Sequence, residues 1–217
     1  MADQLPPSEL IPAPGRGQYD RRLPRERRLA EQRERLIVAT ALALAKSEAP
    51  SVAEVIALAG MGRNTFYEYF DDVSHARKAA EARGLRALED ALQRAEARTR
   101  TPVERFRAVA GAWLDVAIST PAELRLLLRG SQASGLSVAG EAIATAFTRA
   151  LETLRASGVG VLDHEPLRLR AVAATAEVFA RSLTDALLEP EEKERKALAD
   201  RARFERVLVD VSVRLLR

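Results

Sequence analysis

Residues 51–70, SVAEVIALAGMGRNTFYEYF, constrain this chain more than any other stretch. Ser51 followed three residues later by Glu54 is a capping box: the hydroxyl accepts the Glu54 amide proton, and the carboxylate reaches back to the Ser51 N–H. Val55, Ile56, Leu58 and Ala59 supply the apolar side of a helix about two turns long. Gly60 then stands where a helix end favours a left-handed residue, which costs glycine least. A second short helix, 62–70, carries Phe66 and Phe70 four apart on one face, a core signature. Two short helices joined by a tight turn can lay the second in the major groove of DNA.

The segments around this motif read as helix throughout. A composition of 47% hydrophobic and 30% charged residues with 5% aromatics, rich in Ala, Leu and Arg, favours helix over sheet. The first long helix runs from about Pro24 to Lys46, with Leu36, Ile37, Thr40, Ala41, Leu44 and Ala45 at helical spacing, and stops before Ala49-Pro50. Further helices are expected at 74–98, 102–118, 121–129, 138–156, 166–188 and 191–216. The starts Thr101-Pro102-Val103-Glu104 and Thr120-Pro121-Ala122-Glu123 repeat one device: Thr as N-cap, Pro in the first turn, Glu at the third position. Residues 130–135 and 157–160 read as breaks.

These observations give an all-α chain of about nine helices. Residues 1–24, rich in Pro and Gly, are read as a disordered tail. Residues 25–73 are expected to form a three-helix helix-turn-helix DNA-binding domain, and 74–217 a second helical domain. Arg16, Arg21, Arg22, Arg25, Arg27, Arg28, Arg33 and Arg35 crowd the start of the first helix. They read either as a solvated helix start or as an arm that tracks phosphates or enters the minor groove.

Composition also excludes chemistry. With no cysteine, disulfides, thiol catalysis and cysteine metal sites are ruled out. His75 and His164 lie far apart, and no Gly-rich phosphate loop, nucleophile elbow or paired-histidine motif occurs. The expectation is a protein that is not an enzyme and takes no cofactor or metal. No apolar run approaches the ~20 residues that span a bilayer, and no signal peptide opens the chain, so it is read as cytoplasmic.

The pattern Ser51, Val55, Ala59-Gly60-Met61, Thr65-Phe66-Tyr67 and Tyr69-Phe70 resembles the tetracycline-repressor (TetR) family of one-component transcriptional regulators. The match covers residues 33–80, and its Tyr-x-Tyr-Phe ending is fairly specific. Ile56 departs from the alanine usual there, with Ala41 and Ala45 as small partners that make room. The family's lysine after Tyr-Phe is replaced by Asp71-Asp72-Val73, and Glu68 adds another carboxylate, which should weaken attraction to a phosphate backbone.

The resemblance implies that Arg63, Asn64 and Thr65 face base edges, with Arg suited to guanine and Asn to adenine. Ser51 and the amides at its helix start would hold a phosphate, and Tyr67 and Tyr69 would position the backbone. It also implies that 74–217 is an effector-binding and dimerisation domain, with a palindromic double-stranded DNA operator, a homodimer, and a repressor released by a small-molecule effector of unknown identity. Candidate effector-lining residues are Phe106, Trp113, Leu127, Phe147 and Phe179. Candidate dimer residues are Val178 and Ser182 on helix 166–188, and Phe204, Val207, Leu208 and Val211 on the last helix. The competing reading is a helical dimerisation adaptor whose DNA-binding module has degenerated.

Overall fold

The computed structural model describes residues 24–99, 101–129, 136–156, 166–188 and 206. Eight helices occur among them: α1 (Arg25–Lys46), α2 (Val52–Ala59), α3 (Arg63–Tyr69), α4 (Val73–Arg98), α5 (Pro102–Ser119), α6 (Pro121–Leu127), α7 (Val138–Ala156) and α8 (Pro166–Leu188). The chain is all-α across these residues. The tail 1–23, the breaks at 130–135 and 157–160, and all of the ninth helix but Arg206 lie outside the described residues, as do Phe204, Val207, Leu208 and Val211.

Two compact units divide the chain, with the boundary inside α4 between Arg83 and Gly84. In the first unit α1 carries the core stripe: Leu36, Ile37, Thr40, Ala41, Leu44 and Ala45 are all buried. The Thr40 hydroxyl, fully buried, donates to the Leu36 carbonyl at 2.7 Å. Val55 and Ala59 of α2, Phe66 and Phe70, and Ala76 and Ala80 of α4 complete this small core.

The second unit is built on Leu88 and Leu92 of α4 and the inward faces of α5 to α8, with Trp113 and Phe147 as its largest buried side chains. Its α4 segment begins at Gly84, where an added Cβ would lie 2.9 Å from the Glu123 Cβ and 3.3 Å from Leu127 Cδ1. A glycine in mid-helix costs stability, and the close approach of α6 is the reason for it here.

The two Thr-Pro starts differ. Thr101 forms the expected capping box with Glu104. Thr120 does not cap α6: its hydroxyl donates to the Val116 carbonyl at 3.1 Å. Thr120 is also the C-cap of α5, and its hydroxyl joins its own backbone amide, 2.9 Å away, on that Val116 carbonyl. Glu123 is buried.

A different cap opens α7. The Ser137 hydroxyl accepts from the Gly140 amide at 3.0 Å, while the Ser137 amide donates to Glu177 Oε2 at 3.1 Å. Glu177 sits on α8, so the second half of this capping box comes from another helix. Gly140 leaves the room: a Cβ there would fall 2.3 Å from Glu177 Oε2.

Candidate nucleic-acid interface

The turn between α2 and α3 follows from local chemistry. Both halves of the Ser51–Glu54 capping box form, with Glu54 Oε2 2.7 Å from the Ser51 amide and 2.7 Å from its hydroxyl. The Ser51 backbone N–H, with the hydroxyl second, holds the Glu54 carboxyl below its ordinary range. Gly60 ends α2 at φ 64°, ψ 38°, the left-handed geometry expected of it. Its amide and that of Met61 return to the carbonyls of Ala57 and Ile56. From another helix, Arg35 Nη2 donates to the Ala59 carbonyl at 2.9 Å and closes the same end of α2.

α3 opens at Gly62 without a side-chain cap. Phe66 is fully buried and packs against Tyr67 edge-on at 5.5 Å and against Phe70 at 5.8 Å. This anchor leaves Arg63 and Asn64 exposed at the start of the helix and Thr65 half-buried beside them. The Arg63 guanidinium lies over the Tyr67 ring, 5.9 Å from its centroid, and Tyr67 is 48% exposed. A cation–π contact of this kind steadies the side chain while its N–H groups remain on the open face.

Tyr69 is placed differently from Tyr67. It is half-buried, and its hydroxyl donates to Gln32 Oε1 of α1 at 2.9 Å. Arg33 lies 5.6 Å over the Phe70 ring. Arg33 and Arg35, counted at first with the basic arm, therefore also brace the three-helix core.

The acidic segment after α3 has a structural use. Asp72 Oδ1 accepts from the His75 amide at 2.7 Å, and the Asp72 carbonyl from Ala76, so Asp72 is the N-cap of α4. His75 Nδ1 lies 3.1 Å from Asp71 Oδ2, and the His75 ring stands edge-on to Phe70 at 5.5 Å. Two of the three added carboxylates are thus bonded at the α3–α4 junction, and all three, Glu68 included, are exposed. The sequence reading missed Asp72 as a cap, although an Asp three residues before an amide at a helix start was signal enough.

In the second unit Trp113, Leu127 and Phe147 belong to one buried cluster. The Trp113 indole N–H donates to the Ala176 carbonyl at 3.1 Å, so its polar edge is satisfied within the fold. The side chains of Phe106 and Phe179 lie outside the described residues. On α8, Val178 is 63% exposed, with Ala174 and Ser182 exposed one turn to either side. His164 lies outside the described residues. Among the described residues no group of three or more His, Asp or Glu could hold a metal ion, and no helix is long and apolar enough to cross a membrane.

No family model and no curated protein matches the sequence. Solved structures do match the fold. A bacterial regulatory protein of the TetR family from Rhodococcus RHA1 superposes with a TM-score of 0.64 at 16% identity, over 86% of this chain and 97% of its own. The fatty acid degradation regulator FadR from Bacillus halodurans gives 0.58 at 13% identity, over 82% and 94%. A TetR-family transcriptional regulator from Pectobacterium atrosepticum gives 0.54 at 18% identity, over 89% and 98%. At these identities the likeness establishes a shared all-helical fold.

Proposed function

We propose that this chain is a one-component transcriptional regulator of the TetR family. It would bind a palindromic DNA operator as a homodimer and be released by a small apolar or amphipathic effector. The observation that carries the reading is the form of α2–α3: a capped helix, a left-handed glycine turn, and a second helix anchored by buried Phe66 that leaves Arg63 and Asn64 open at its start. Arg and Asn are the side chains best suited to bidentate contacts with guanine and adenine in the major groove. The similar folds include regulators named as belonging to the TetR family.

Ser51 would contribute a phosphate contact at the start of α2. Its hydroxyl and amide are already bonded to the Glu54 carboxylate, so a phosphate would have to share or displace that partner. Tyr67 would reach the backbone directly. Tyr69 would act through Gln32, to which it is bonded.

The exposed α8 strip of Ala174, Val178 and Ser182 supports a two-fold interface, since small residues at one-turn spacing let two helices approach closely. Sedimentation showing only monomer at micromolar concentration would remove the dimer. For an effector, the buried Trp113, Leu127 and Phe147 would have to part to supply an aliphatic and aromatic lining, and a ligand favouring the non-binding conformation would shift the dimer off DNA by its differential affinity. The fatty acid degradation regulator among the similar folds makes acyl compounds a sensible first screen.

Fluorescence anisotropy of the full chain on a labelled duplex, measured across salt concentrations, tests the DNA reading. A regulator gives affinity that falls steeply with salt as counterions are released. Absence of binding at low salt would leave the adaptor reading in its place.

A further inference from the structure

The core stripe of α1 continues past the core. Leu36, Ala39, Thr40 and Ala43 are buried on one side of the helix. At the same spacing toward the N-terminus stand Arg25, Arg28, Leu29 and Gln32, because residues three and four apart share a face. These four line a cavity of about 180 Å³, with room for several waters or an oxyanion.

The face that is aliphatic downstream is therefore cationic and amide-bearing upstream, and among the described residues no acidic side chain lines it. Among the described residues neither Arg25 nor Arg28 has a carboxylate within ion-pair distance. The Nε of Arg28 is enclosed and has no acceptor. An enclosed N–H donor without a partner is costly and calls for an explanation. Gln32, at the end of the cavity, accepts the hydroxyl proton of Tyr69, the last residue of α3. The cavity is thereby tied to the far end of the helix that presents Arg63.

We infer that this cavity seats a phosphodiester oxygen of the DNA backbone, gripped by the Arg28 guanidinium with Arg25 as a second cation. An arginine fork fits the planar pair of phosphate oxygens, and charge-assisted bonds of this kind are the strong ones. Such a contact carries no base information. It positions α3 and supplies attraction that offsets the acidic groups beyond Tyr67. The identity of the partner rests on the DNA-binding reading. The oxyanion chemistry of the seat does not.

The test uses the full chain with isotope-labelled arginine, the Arg28 Nε–H resonance being identified by its loss in Arg28→Lys. Inorganic phosphate is titrated first, against sodium chloride at matched ionic strength, and then a mixed-sequence duplex. The inference expects the Arg28 signal to move with phosphate and with duplex but not with chloride. It also expects Arg28→Lys, which keeps the charge but loses the fork, to weaken duplex binding several-fold at every sequence tried, and Arg28→Gln to lower the salt slope by about one as well. Circular dichroism checks that the variant folds. A shift with phosphate from a protein that binds no duplex would keep the oxyanion seat and overturn the DNA reading. Duplex binding with no Arg28 shift and no effect of Arg28→Lys would overturn the seat and keep the DNA reading. An equal response to chloride, or none to either anion, would also overturn the seat.

Discussion

Replacing Gly140 with alanine tests the shared cap of α7. The new Cβ would stand 2.3 Å from Glu177 Oε2 and 3.1 Å from the Leu136 Cβ, well inside van der Waals contact. Leu136 is buried and has little room to retreat, so the carboxylate must move. Its bond from the Ser137 amide is already 3.1 Å long and breaks with that movement. Ser137 is buried, so its N–H is left without an acceptor, a loss of about 1–3 kcal/mol. Alanine in a helix gains about 0.5–1 kcal/mol over glycine. The net expectation is destabilisation of roughly 1 kcal/mol. Trp113 is the only tryptophan of the chain and lies in the same unit, so urea denaturation followed by its fluorescence reads this unit alone. The decisive comparison is the double-mutant cycle. With Glu177→Ala already in place the contact with the carboxylate is gone and only the 3.1 Å approach to the Leu136 Cβ remains, so Gly140→Ala should cost clearly less than in the native background. Equal destabilisation in both backgrounds, or a stabilised single variant, would refute the shared cap.

Three further outcomes follow from the same geometry. Gly84→Ala should destabilise the second unit, since the Cβ would meet the Glu123 Cβ at 2.9 Å and overpacking costs about 1–3 kcal/mol against a helix gain near 1; the pair Gln93→Ala and Gln93→Gly, at an exposed α4 position of the same unit, measures the helix term, and a gain in urea midpoint at Gly84 would contradict the close approach. The Glu54 carboxyl should titrate below the ordinary 4.5 in a carbon-detected NMR titration. Because its folded pKa is depressed, the capping box stabilises above the unfolded value and is lost as pH falls through the folded one, so Glu54→Gln should flatten that acid limb of first-unit stability. Asp72→Asn keeps an N-cap and removes a charge, so thermal stability should stay level while duplex affinity rises; Asp72→Ala should instead lose about 1 kcal/mol.

The fold was legible wherever the signal is local. Ser51–Glu54, Gly60 and Phe66–Phe70 lie within a few residues of their partners, and their geometry follows from capping, left-handed turn and helical spacing alone. Thr120 shows the limit: its motif matches that of Thr101, yet two helices meet at that residue and its hydroxyl serves the earlier one. The remaining features depend on partners distant in sequence. Tyr69 with Gln32, Arg35 with the Ala59 carbonyl, and Ser137 with Glu177 each join two helices, and a single sequence carries no record of which helices will be neighbours. Of the candidate interface, the exposure of Arg63 and Asn64 follows from the anchoring of Phe66, which the spacing foretold. The Arg25–Arg28–Gln32 cavity appears only once the α1 stripe is seen to outrun its core.

Selection of bound duplexes from a random library by the full chain, repeated with Arg63→Ala, tests the central claim most directly. The account predicts enrichment of two inverted half-sites with centres about one helical turn apart, or a multiple. It predicts that Arg63→Ala binds the selected site about 1–3 kcal/mol more weakly and loses its preference at one base position in each half-site. Failure to enrich any sequence, or an unchanged preference in the variant, would contradict it.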